Sequence, residues 1–224
     1  MPRRRNHGGP SERSDRACLV LIALYENGTP FEPHIVDLGN AAAAGEFKKL
    51  WPIGKFPVLR DEARDRMVPE SSIIIEYLDQ HYPGKTRFLP ADPDLARQTR
   101  MRDRFFDLYL QLPMQKVVGD RLRPPGKGDA FGVEQAKVQL QTALGMVDGD
   151  MATKTWAMGE SFGTADCAAV PALYYANLIT PFTSTYKHAA AYLDRLMGRP
   201  SVARTLKEAE PYRHLFPQER MPQD

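Results

Sequence analysis

The chain has 224 residues, 42% hydrophobic and 26% charged, enough apolar material to bury a sizeable core in one domain or two modest ones. Its 30 basic and 28 acidic residues leave a formal net charge of +2, so no whole-chain field argues for nucleic acid or an anionic membrane surface as a partner. No apolar run reaches the roughly 18 residues of a membrane span, and Cys18 and Cys167 stand far apart without metal-type spacing, reading as buried reduced thiols of a cytoplasmic protein.

The start, MPRRRNHGGPSERSD, has a basic opening, but ACLVLIALY runs on into ENGTPF without a small-residue cleavage site, which speaks against a secretory signal. ACLVLIALYENG reads as a helix ending at Gly28, and PFEPHIVDL, with its β-branched residues, as a strand. A helix follows. KFPVLRDEARDRMVPE then gives two short strands joined by a polar turn, and SSIIIEYLDQHYP a helix stopped by Pro83. Pro57 cannot donate to a β-ladder, so it belongs at the beginning of its strand, next to exposed backbone.

PGKTRFLPADPDLARQ, rich in proline, glycine and charge, is a linker signature. The texture beyond it is helical throughout. Met101, Phe105, Leu108 and Leu112 recur at spacings of four, three and four, predicting one apolar stripe on a long helix over 95–123. VEQAKVQLQTALGMVDGDMA, TADCAAVPALYYANLI and YKHAAAYLDRLMGRP add three more helices. The fold class is therefore α+β: a small mixed domain over 1–84, a linker over 85–94 and an all-helical domain over 95–224.

Two helix starts carry chemistry or capping. Glu70 and Ser71 open SSIIIEYLD, where unpaired N–H groups and partial positive charge suit an anion. The bland reading is an N-cap with a dipole-favourable charge. In SFGTADCAAV, Gly163 takes the cap position without a hydroxyl, Asp166 at the third helical position reaches back to the cap N–H, and Thr164 is the residue placed to compensate. Losing Asp166 is expected to cost about 1 kcal/mol as a cap.

GKFPVL at 54–59, PESSIIIEYLD at 69–79 and WAMGESFGTADCAAVPAL at 156–173, in this order, resemble the cytosolic glutathione transferase superfamily, in particular its bacterial serine-type, zeta- or theta-like members. The resemblance runs from about Ser11 to Tyr212. It implies a thioredoxin-like first domain with a cis-proline at Pro57, an all-α helical-bundle second domain, glutathione as co-substrate with no metal, and a homodimer. In that frame the backbone of Phe56 pairs with the cysteinyl residue as an added strand would, Glu70 accepts from the γ-glutamyl ammonium, and Ser71 holds the γ-glutamyl carboxylate. Lys55, with Lys49 as the lesser rival, reaches the glycyl carboxylate. The thiolate partner falls on Ser14, with Ser11 a turn away as the alternative, and Cys18 faces the core.

Arg104 and Tyr109 are the polar groups expected on an apolar second-substrate wall that includes Phe105, Leu108 and Pro113, with Tyr174 and Tyr175 closing it or simply packing. The implied activity is transfer of the glutathione thiolate to a small hydrophobic electrophile. The alternatives are a glutathione-binding or protein-interaction module of the same fold with little catalysis, and a glutathione-dependent isomerase. A thioredoxin-type oxidoreductase is disfavoured because no Cys-x-x-Cys occurs. The chain departs from the family at its start, where MPRRRNHGG stands in place of an apolar first strand.

Overall fold

The computed structural model describes residues 10–217, with the side chains of 10–16 and 213–215 outside the description. Residues 1–9, where the resemblance would put a first strand, lie outside it as well. Helix α1 (Pro10–Asn27) begins well before the apolar run that announces it and stops where expected. Gly28 takes φ +62°, and the Thr29 N–H reaches back to the Leu24 carbonyl at 2.9 Å, satisfying one of the last orphan carbonyls. Leu19, Ile22 and Ala23 pack into a large core with the C-terminal helices, while Val20 and Leu24 pack into a small one with Val68, Ile74 and Leu78. One helix thus belongs to both halves of the molecule, and Cys18 is buried on it.

PFEPHIVDL does not form the expected strand. It runs without regular structure from Pro30 to Asp37, and Ile35 is 81% exposed. Pro30 and Pro33 each lack an N–H donor, and among the described residues the segment has no ladder partner. Helix α2 (Ala41–Leu50) follows, capped by the Asn40 side chain, which accepts from the Ala42 and Ala43 N–H groups at 3.0 and 3.2 Å.

The two strands expected around the polar turn are present. β1 (Val58–Asp61) and β2 (Arg66–Pro69) pair antiparallel, with Val58 opposite Pro69 and Asp61 opposite Arg66. The peptide bond between Phe56 and Pro57 is cis. Helix α3 (Ser71–His81) follows directly and packs Ile74 and Leu78 beneath the hairpin.

The connector after Pro83 is firmly held. Phe88 is fully buried, the Asp79 carboxylate accepts the Phe88 and Leu89 N–H groups at 3.1 and 3.3 Å, and Thr86 bonds the side chains of both Glu26 and Asn27.

The expected long helix over 95–123 is three pieces: α4 (Pro93–Phe105), a π-helical turn (Phe106–Gln111) and α5 (Leu112–Arg121). The Leu112 N–H bonds the Asp107 carbonyl, five residues back, and Pro113 has no N–H to offer the Tyr109 carbonyl. This widened turn rotates the buried face onto Phe105, Phe106, Leu110, Met114 and Val117. Of the stripe read from the sequence only Phe105 is buried, and Met101, Leu108 and Leu112 are exposed.

Helices α6 (Ala130–Met151), α7 (Thr164–Ile179), α8 (Lys187–Met197) and α9 (Pro200–Ala209) complete the helical half, with a last 3-10 turn at Glu210–Leu215. The Asp166 carboxylate accepts from the Gly163 N–H at 2.9 Å as the capping pattern requires, and also from the Ala157 N–H at 2.8 Å and the Tyr192 hydroxyl at 2.6 Å. Thr164 does not compensate for the missing cap hydroxyl. Its buried Oγ1 has no hydrogen-bond partner. Among the described residues no helix is long and apolar enough to cross a membrane.

Candidate functional site

The first turn of α3 begins on an unusual backbone. Glu70 takes φ +69° and ψ +121°, a region that a side chain with a Cβ rarely enters and that costs on the order of 1–3 kcal/mol. Its carboxylate makes no cap hydrogen bond to its own helix. Strain of this kind persists where the surroundings fix it, and it clusters at ligand clamps. The conformation follows directly on the β2 ladder, which ends at Pro69, so the chain turns abruptly from strand into helix at Glu70.

Glu70 and Ser71 open onto a cavity of about 310 Å³ between α3 and the helical half. Leu19 of α1, Phe106 and Ala168 give it apolar walls. Arg104 lines it, paired with Asp107 at 2.9 Å. Arg100 lines it too, donating to both oxygens of Glu76 at 3.1 and 2.5 Å, and that pairing holds the guanidinium above its ordinary range. The other residues expected on the second-substrate wall do not line this cavity. Tyr109 is 43% exposed and packs against the Phe105 ring at 5.4 Å, Leu108 is exposed, and Phe105 and Pro113 are buried elsewhere. The π-helical turn presents Phe106, Asp107 and Gln111 to the cavity in their place.

Lys55, Phe56 and Pro57 are not part of this cavity. They lie just before β1, where the ring of Phe56 packs on Phe47 at 4.5 Å and Lys55 is exposed. Lys49 is bound to Glu46 at 2.6 Å. Ser11 and Ser14 fall in the opening turns of α1, and their side chains lie outside the description. Tyr174 and Tyr175 pack rather than close the cavity: the two rings meet edge to face at 5.1 Å, and Tyr175 stacks on Phe216. Burial, with the Asp166 carboxylate adding, pushes the Cys167 thiol well above its ordinary range, in keeping with a buried reduced thiol.

Sequence reasoning missed Ser72 and Asp103. Ser72 Oγ donates to Asp103 Oδ2 at 2.7 Å, joining the first turn of α3 to α4, and both residues line the cavity. Ser72 reads as one more polar residue in a helix start, and Asp103 as one more charge in RMRDRFF. Only their meeting across 31 positions gives them a role.

A hairpin-and-helix unit, a cavity at the N-terminus of its last helix and a helical half closing that cavity define the glutathione transferase architecture. Residues 11–86 match the glutathione S-transferase N-terminal domain and residues 105–200 the C-terminal domain. The chain is 30% identical over 204 residues to a stringent starvation protein A homolog of Haemophilus influenzae, covering 90% of each, and 28% identical over 205 residues to a glutathione S-transferase of Pseudomonas putida, covering 86% of this chain and 87% of that one. A solved glutathione S-transferase of Methylobacillus flagellatus with glutathione bound superposes with a TM-score of 0.78 at 24% identity, over 87% of this chain and 95% of that one. The chain belongs to the glutathione S-transferase family.

Proposed function

We propose that this protein binds glutathione at the first turn of α3 and transfers its thiolate to a small hydrophobic electrophile held in the adjoining cavity. The observation that carries the reading is Glu70, strained and uncommitted to its own helix, beside Ser71 on the wall of a cavity with apolar sides. The γ-glutamyl carboxylate meets the Ser71 hydroxyl and the α3 N–H groups, and its ammonium meets Glu70. The cysteinyl backbone lies along Phe56, whose peptide precedes the β1 ladder, and Lys55 faces the glycyl carboxylate. Ser14, with Ser11 as its rival, donates to the sulfur and favours the ionised thiol. Holding that thiolate beside the electrophile converts a bimolecular encounter into a local one. Arg104 orients polar groups of the electrophile at the cavity rim.

The exposed Met101, Leu108, Tyr109 and Leu112, along α4, the π-helical turn and the start of α5, support a homodimer that covers them. A second reading, a glutathione-binding module with little turnover, is favoured by one observation: the relative at 30% identity carries the name of a stringent starvation protein rather than a transferase. A conjugation assay over a panel of electrophiles, with wild type and Ser14→Ala, separates the two. Turnover that falls in the variant supports transfer. Tight glutathione binding without turnover on any electrophile supports the module.

A further inference from the structure

The α3 N-terminus lacks local support. Its cap residue makes no side-chain cap bond, its backbone is strained, and no acidic residue stands in its first turn to offset the dipole. A helix end in this condition frays unless tertiary contacts hold it. Ile74 and Ile75 anchor it from the apolar side, and two polar side-chain contacts add to them, both to α4. Ser72 Oγ donates to Asp103 Oδ2 at 2.7 Å, and one turn further along Glu76 receives both bonds from Arg100. Ser72 is adjacent to Ser71, and Asp103, only 3% exposed, is adjacent to Arg104. The bond therefore ties the strained first turn of one half to the cavity wall of the other.

We infer that Ser72 and Asp103 are positioning residues for glutathione: their hydrogen bond fixes the first turn of α3 so that Ser71, the neighbouring N–H groups and Glu70 stand ready for the γ-glutamyl end. The inference rests on the reading of that turn as the glutathione site. Neither residue needs to touch the tripeptide. The outer Glu76–Arg100 pair is half exposed on the arginine side and is the lesser support. Pre-ordering of this kind lowers the ordering cost paid on binding and appears in affinity more than in the chemical step.

The test is calorimetric titration of the full chain with glutathione, alongside thermal unfolding and steady-state kinetics, for wild type, Ser72→Ala, Ser72→Thr and Asp103→Asn. Ser72→Ala is expected to bind glutathione roughly three- to tenfold more weakly, as loss of one hydrogen bond allows. Its KM for glutathione should rise while kcat at saturating glutathione stays within about twofold. Ser72→Thr keeps the hydroxyl and should restore most of the affinity. Asp103→Asn keeps an acceptor but withdraws its charge, and should weaken binding by about two- to threefold. A folded Ser72→Ala with wild-type affinity, whether or not its melting temperature falls, overturns the inference and leaves the glutathione site standing. If Ser72→Ala does not fold, wild-type affinity in Asp103→Asn overturns it instead. Wild type that does not bind glutathione overturns the site reading itself and the inference with it.

Discussion

Arg199 clasps Glu26 across 173 positions of chain, its Nε and Nη2 donating to the two carboxylate oxygens at 3.0 and 2.6 Å. Ser201 and Thr86 add hydroxyl bonds to the same carboxylate at 2.8 and 3.0 Å, and the guanidinium lies 4.0 Å above the Phe162 ring. The end of α1, the connector and the start of α9 thus meet on one buried carboxylate. Removing its charge strands a largely buried arginine, so Glu26→Gln should cost about 2–4 kcal/mol of stability, measured by urea unfolding. Burial pushes the Glu26 carboxyl up, but Arg199, Ser201 and Thr86 together hold it below its ordinary value of 4.5. The unfolded chain therefore takes up that proton first. The stabilising contribution is complete above 4.5 and is lost as pH falls through the depressed folded value, so the difference between wild type and variant should stay constant from neutrality to about pH 5 and shrink in acid.

Asp166 does more than cap α7. It serves two backbone N–H groups and the hydroxyl of the fully buried Tyr192, so Asp166→Ala strands three buried donors where the sequence foresaw one. The loss should reach about 3 kcal/mol or more, well beyond a cap alone. Asp166→Asn, which keeps acceptors at one oxygen, should cost less. Thermal unfolding of the pair checks the order.

Glu70→Gly should separate stability from binding. Glycine enters the positive-φ region without the Cβ penalty, so the variant should be more stable by about 1 kcal/mol while binding glutathione about tenfold or more weakly. A gain in melting temperature with a loss in affinity is the expected pair of results.

Thr164 carries a buried hydroxyl without a partner, on the cavity wall. Thr164→Val replaces it with a methyl of the same shape, and should leave stability unchanged or raise it by up to about 1 kcal/mol, read from unfolding curves.

The parts of this fold that local rules govern were legible. The end of α1 at Gly28, the hairpin around DEAR and the reach of Asp166 to the Gly163 N–H each depend on residues a few positions apart. The failures share a different cause. PFEPHIVDL has strand-forming side chains, but two prolines and the lack of a partner among the described residues leave it unpaired, and pairing is not a local property. Met101, Leu108 and Leu112 fit a helical period that the π-helical turn interrupts, and Asp107 and Gln111 line the cavity from that turn. At the site, Glu70 and Ser71 stood out as a pair at a helix start, whereas Ser72 and Asp103 acquire meaning only when α4 lies against α3.

The first turn of α3 is proposed to hold the γ-glutamyl end of glutathione. Calorimetric titration of wild type and Ser71→Ala with glutathione tests it most directly. Saturable binding by wild type is expected, with an affinity about tenfold lower in the variant and the melting temperature of the free protein little changed. Equal affinity in the two proteins, or no binding by wild type, would contradict it.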